Sequence, residues 1–280
     1  TNINQQMNDE ELNFLRLSNI TEEIYNNAKD GSIVNQCLIL KDEEYQQTFY
    51  SKSFKYVFAP NMTSIFEEMF RANELLCDIF APNVVNIDYG VFYSCILLKQ
   101  LDFPKLEQIS QHTFTRCESV TKVNLPSLRV VSKLSFYVCE KLREFIAINL
   151  EQIEKESFES CFSLERFVAP RLNVVRGYAF KQCQKLKRIN SPHLISQSDT
   201  FKCDCGSCPK CDGWLEKAKS WNGKFLTYNS KHLELSNLFN TLKILVSLQI
   251  LKTETISEVE HQSQKLSEIL NQLLQDQGKE

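Results

Sequence analysis

The chain has 280 residues, 42% of them hydrophobic and 24% charged, the composition of a globular protein large enough for a substantial core. A formal net charge of −3 supplies no general attraction to nucleic acid or to anionic lipid. No apolar run approaches the roughly 20 residues that a membrane-spanning helix needs, and the polar stretch from Thr1 to Asp9 has no signal-peptide apolar region; without an initiator Met, a removed leader stays open.

The first predicted element lies at residues 8–29. Leu12, Leu15, Ile20 and Ile24 recur there among polar residues, with Asn13 or Ser18 as cap or turn residues. This spacing predicts an amphipathic helical segment within an N-terminal cap over residues 1–45, placed to cover the first repeat.

The repeats follow. Phe70, Phe92, Phe114, Phe136, Phe158 and Phe180 return every 22 residues. One period earlier the phase holds Thr48, with Phe49 one residue out of step. Three residues after the phenylalanine stand Ser51, Asn73, Cys95, Cys117, Cys139, Cys161 and Cys183, and three further on Phe54, Leu76, Leu98, Val120, Leu142, Leu164 and Leu186. The next apolar column, Val57 to Ile189, is followed three residues later by proline in every turn except at Ile148. A short L-x-x-Φ stretch halted by proline reads as a strand, since proline has no N–H for a ladder. Leu106 and Ile109 open two further apolar columns. A unit this short cannot bury its own apolar face, so stacked neighbours must supply one continuous core over residues 46–198.

Tyr178-Ala179-Phe180-Lys181-Gln182-Cys183, followed by Leu186, Ile189 and Pro192, resembles the BspA-type leucine-rich repeats of bacterial and protist surfaces. The resemblance covers about Thr48 to Leu194, with Thr48, Ser51 and Ile148 as departures and a loop glycine mostly missing apart from Gly90 and Gly177. It implies an α/β repeat: a right-handed leucine-rich-repeat solenoid of about seven turns, the first degenerate, with a short parallel sheet on its concave face. It also implies adhesion or protein binding rather than catalysis, with a protein as the partner.

In such strands the residues flanking each central apolar position face the concave surface. These are Tyr56 and Phe58, Asp78 and Phe80, Gln100 and Asp102, Lys122 and Asn124, Glu144 and Ile146, Arg166 and Val168, and Arg188 and Asn190. Tyr56, Phe58, Asp78, Phe80, Gln100, Asp102, Lys122, Asn124, Glu144, Arg166 and Arg188 form the candidate binding face, aromatic at one end and basic at the other, built of residue types that make hot spots. The bland alternative is that Phe58 and Phe80 pack under the N-terminal segment.

Cys203, Cys205, Cys208 and Cys211 fall in nine residues at the phase of the next repeat, within a closure over residues 199–215. Four thiolates at this spacing suit a structural zinc, although the solenoid requires no cofactor; two disulfides, iron–sulfur or redox chemistry, and unligated thiols are the other readings. A thiol- or zinc-dependent redox or regulatory protein acting through this loop is the alternative function. Beyond a linker at 216–229, residues 230–280 read as a long helical tail, its leucines from Leu235 to Leu273 on a heptad frame broken at Gln249 and Lys252. A homodimer through residues 235–273, a folded-back cap and a site for another partner are the expectations.

The ladder of free thiols favours a reducing cytoplasm, while the family resemblance points to a cell surface; Asn19-Ile20-Thr21 and Asn61-Met62-Thr63 are sequons. The four histidines, His112, His193, His232 and His261, are expected in solvent, and no phosphate-binding or zinc-protease motif is present.

Overall fold

The computed structural model describes residues 7–50, 52–186, 188–191 and 195–196. Two short helices open the chain, α1 (Asp9–Arg16) and α2 (Glu22–Asn27). Asn8 caps α1 with a reciprocal pair: its side chain accepts from Glu11 N (3.0 Å), and the Glu11 carboxylate accepts from Asn8 N (2.7 Å). Thr21 caps α2. The single amphipathic stretch expected over residues 8–29 is thus two helices, and Asn13 lies inside α1 instead of capping it; Ser18 sits in the turn between them and donates to Leu15 O (3.1 Å).

A hairpin not foreseen in the sequence follows, β1 (Ser32–Val34) antiparallel to β2 (Cys37–Ile39). Asn35 and Gln36 both have positive φ, 47° and 65°, as a tight two-residue hairpin turn requires. From there each turn contributes two strands. The first row is β3 (Tyr56–Phe58), β5 (Asp78–Phe80), β7 (Gln100–Leu101), β9 (Lys122–Asn124), β11 (Glu144–Ile146), β13 (Arg166–Val168) and β15 (Arg188–Asn190). The second is β4 (Ser64–Ile65), β6 (Asn86–Ile87), β8 (Gln108–Ile109), β10 (Val130–Val131), β12 (Gln152–Ile153), β14 (Val174–Val175) and β16 (Ile195–Ser196). The second row is one parallel sheet; the first divides into a sheet β1-β2-β3-β5 and a sheet of β7 to β15. One sheet was expected, and the Φ-x-x-Φ segments supply the other.

Registers step by 22 residues, as in Glu144↔Arg166 and Val131↔Ile153, except that β2 and β3 step by 19, Cys37↔Tyr56, and β14 and β16 by 21, Val174↔Ile195. The core between the rows is a column of rings. Phe70, Phe92, Phe114, Phe136, Phe158 and Phe180 stack with centroids 5.2–5.5 Å apart. Phe49, out of phase in sequence, still joins the column 6.3 Å from Phe70.

Beside the rings runs the cysteine column. The thiols of Cys95, Cys117, Cys139, Cys161 and Cys183 each donate to the phenylalanine carbonyl 25 residues earlier, at 3.1–3.3 Å. All five are buried, so they pack as small hydrophobes whose weak donor still satisfies a backbone oxygen. In the turn before them Asn73 does the same work, donating to Phe54 O (3.2 Å).

The turn between the rows of strands needs two left-handed residues per repeat. Glu68, Gly90, His112, Leu134, Glu156 and Tyr178 hold one position, and Ala72, Ser94, Arg116, Val138, Ser160 and Gln182 the other, all with φ of 53–63°. Of these residues only Gly90 meets the need without a side-chain penalty.

Candidate protein-interaction face

The first row of strands builds the candidate face because each strand is three residues or fewer with a buried centre. Val57, Ile79, Leu101, Val123, Phe145 and Phe167 point into the core, so their neighbours on either side point out. Parallel pairing in register then lines those neighbours up at about 4.8 Å per turn.

The aromatic end is not open. Phe14 of α1 stacks on Phe58 (centroids 6.0 Å), meets Tyr56 edge-on (6.2 Å) and packs on Phe80 (5.6 Å). Phe58 also stacks on Phe80 (5.4 Å) and is fully buried, while Tyr56 and Phe80 are half-buried. With Leu15, Ile20, Cys37 and Ile39 these rings form a second, small core beneath the cap. Phe58 is therefore a core residue, which corrects its placement on a binding surface.

The open part of the face begins at Asp78. Its half-buried carboxylate accepts from the backbone N–H of Ile79 (2.9 Å); burial pushes its pKa up, and the Asp102 charge one turn on pushes the same way. The boundary between the two first-row sheets runs through this acidic pair, beside Phe103, which fills a buried position that Ala81 and Ala147 hold in other turns.

Past Gln100 and Asn124, both exposed, the face becomes a charge line. The Glu144 carboxylate takes Lys122 Nζ on one side (2.9 Å) and the Arg166 guanidinium on the other. Burial alone would raise the Glu144 carboxyl, but the two cations outweigh it and hold it below its ordinary value. Both cations keep about half of their side-chain surface, 61% for Lys122 and 47% for Arg166. The backbone of Arg188 continues the register from Arg166.

A second group lies on the turn side of the solenoid and was missed in the sequence. Arg71 sits over the Tyr93 ring (4.6 Å) and pairs with Glu68; His112 meets Tyr89 edge-on (5.6 Å) and Tyr93 at a tilt (6.2 Å). His112 is thus half-buried among rings instead of free in solvent, and burial, with Lys133 and Arg71 adding to it, lowers its pKa. The signal available was position: these residues occupy the left-handed turn column and its neighbours. Cys203, Cys205, Cys208 and Cys211, His193, the tail from Leu235 to Leu273 and the linker all lie outside the described residues. Among the described residues no group of three or more His, Cys, Asp and Glu is placed to hold a metal ion, and no helix is long and apolar enough to cross a membrane.

No curated protein matches the sequence. Solved structures do. A leucine rich cell surface protein from Faecalibacterium prausnitzii A2-165 aligns at 20% identity and a TM-score of 0.46, over 55% of this chain and 42% of that one. A leucine-rich repeat protein from Eubacterium ventriosum ATCC 27560 aligns at 22% and 0.48, over 59% and 46%. The leucine rich repeat protein of T. pallidum aligns at 18% and 0.39, over 54% and 84%. The chain spans less than half the length of the first two. Six copies of the BspA type leucine rich repeat region match residues 42–165 and 85–207, together more than half of the sequence. The phenylalanine and cysteine columns, the two parallel rows and that match agree: the chain belongs to the BspA-type leucine-rich-repeat family.

Proposed function

We propose that the protein is a non-catalytic binding scaffold that engages a protein partner on the first row of strands, from Asp78 to Arg166. The observation that carries this reading is the line Lys122–Glu144–Arg166, whose two cations are exposed around a half-buried carboxylate, held in register by parallel pairing and left uncovered by the N-terminal cap. Arginine flanked by a preorganised carboxylate is a common anchor at protein interfaces, and rigid backbone positions lower the entropy lost on binding. The buried thiols support a structural role for the repeats: burial raises the pKa of Cys95, Cys117, Cys139 and Cys161, which removes them as nucleophiles. Adhesion at a cell surface is the outlet that the family implies, and an intracellular scaffold is the other.

A photo-crosslinker placed at Asn124 on the first row and, separately, at Asn86 on the second would be activated in the native source. Capture of a protein from position 124 and not from 86 is the expected result, followed by roughly tenfold weaker binding of that protein after Arg166→Glu. Equal capture from both rows, or unchanged affinity after the charge reversal, would move the site elsewhere.

A further inference from the structure

Two residues past the centre of each first-row strand, the chain turns a corner on a second inward position. That column reads Leu40, Ala59, Ala81, Phe103, Leu125, Ala147 and Ala169, all buried. Elsewhere the bulk is shared out within a turn. Where the strand centre is a ring, Phe145 or Phe167, the corner is Ala147 or Ala169; Val57 and Ile79 are also followed by alanine, and Val123 by Leu125. In the turn of Leu101 the ring stands at the corner itself, between Phe92 (centroids 6.1 Å) and Phe114 (6.5 Å).

The backbone of that turn leaves the ladder on both sides. At other corners the N–H donates to the last carbonyl of the next strand: Leu40 to Phe58 O, Ala59 to Phe80 O, Leu125 to Ile146 O and Ala147 to Val168 O, each at 2.9 Å. The two such bonds that would tie the Phe103 turn to its neighbours, Ala81 N to Asp102 O and Phe103 N to Asn124 O, are not formed. β7 is one residue shorter than every other strand of the row, and pairing stops between β5 and β7. Ala81 and Phe103 are both buried, and a buried N–H without an acceptor is unfavourable, so the gap has a cause that outweighs it.

The parting is local. Lys99 N still donates to Cys77 O (3.1 Å) where the strands begin. The second row runs through unbroken, with Asn86↔Gln108 and Ile87↔Ile109 in register and Ser110 N on Ile87 O (2.9 Å). Among the described residues no ion pair joins residues 78–81 to residues 100–103, whereas Glu144 holds Lys122 and Arg166 across the later turns.

We propose that Phe103 is a wedge that parts the first row between β5 and β7 and makes this corner a flex point, at which the concave face opens and closes while the second row stays fixed. With Leu101 already filling the strand centre, the corner is too small for a ring in an interior packed this closely, so the chain moves outward to seat it and both ladder bonds are lost. On one side lie β3 and β5, braced by the rings under the cap; on the other lie the strands locked by the Lys122–Glu144–Arg166 line. The distance between Asp78 and Asp102 is therefore the adjustable dimension of the face, whether or not a protein binds there.

Amide hydrogen exchange on the full chain, read by NMR, tests this against controls in the same molecule. In the wild type the Ala81 and Phe103 amides should exchange at least about tenfold faster than those of Ala59, Leu125 and Ala147, while Asp88 and Ser110, which bridge turns in the second row, stay protected. Two variants take the ring from the corner. Phe103→Leu supplies the residue found at 125, and Leu101→Phe combined with Phe103→Ala conserves side-chain volume and copies the order of Phe145 and Ala147. In at least one of them the amides at 81 and 103 should slow into the range of the bonded corners. Wild-type Ala81 and Phe103 amides as protected as those corners, or fast exchange that persists in both variants, overturns the wedge. Asp88 and Ser110 exchanging as fast as Ala81 would mean that the whole turn opens, which overturns the flex point.

Discussion

Phe14→Ala separates a covered core from an open binding surface. The wild-type ring is 9% exposed and touches three aromatic residues, Tyr56, Phe58 and Phe80. Truncating a buried phenylalanine costs about 3–5 kcal/mol, and the lower end applies to a ring at the edge of a small cluster. α1 has eight residues, too few to persist alone, so its stability is that of its packing. A loss of about 3 kcal/mol then raises the open fraction of the cap by roughly a hundredfold, at about tenfold per 1.4 kcal/mol. Amide hydrogen exchange reads this directly. Protection of the α1 amides falls by about two orders of magnitude, while the amides of β11 and β13, several turns away, keep theirs. The reasoning fails if α1 protection is unchanged, or if β11 and β13 lose as much as α1 does.

Phe136→Ala removes the ring between Phe114 and Phe158 (5.2 Å to each) and the one Phe145 meets edge-on (5.3 Å), so urea unfolding should show a loss of about 3–5 kcal/mol against about 1 for Phe136→Leu. Equal losses for the two variants would mean that the column tolerates a void. Gly31 has φ +71° and a Cβ there would overlap the Tyr45 hydroxyl, while Gly90, with φ +60°, would place its Cβ at an ordinary 3.6 Å from Glu68 Cγ. Gly31→Ala should therefore cost about 2–3 kcal/mol and Gly90→Ala about 1, and the reverse order in thermal unfolding refutes the account. Because Lys122 and Arg166 depress the folded-state pKa of Glu144, its contribution is present above the ordinary carboxylate value of 4.5 and is lost as pH falls through and below it. The stability gap between wild type and Glu144→Gln should shrink between pH 6 and pH 3, and a constant gap would remove the ion pairs from the account.

The repeats were legible because rings of one size at one period can be buried only by stacking, and the structure buries each of the six in-phase phenylalanines. Phe49 shows the limit of reading by phase: the first step between strands is 19 residues, and the core selects the ring that reaches it, not the one that keeps the count. The second row of strands is two residues per turn, too short for alternation to register. Leu134 and Val138 hide the left-handed turns, since a sequence reading looks for glycine there and the stacked backbone imposes the conformation regardless. For the site, the charged half of the face follows from strand periodicity alone, whereas burial of Phe58 depends on a helix more than forty positions earlier in the chain.

The thiol column bears on where the protein works. Register places successive cysteines about 4.8 Å apart, within the Cα range that a disulfide tolerates, so spacing does not protect them. Burial does: a disulfide forms only through a thiolate that an oxidant or another disulfide can reach, and all five are buried, which also raises the pKa of Cys95, Cys117, Cys139 and Cys161. Once folded, the column would stay reduced in blood plasma as readily as in cytosol. The free thiols that looked like a signature of a reducing compartment are blind to redox potential, and only half-exposed Cys77, among the described cysteines, could carry a record of its surroundings.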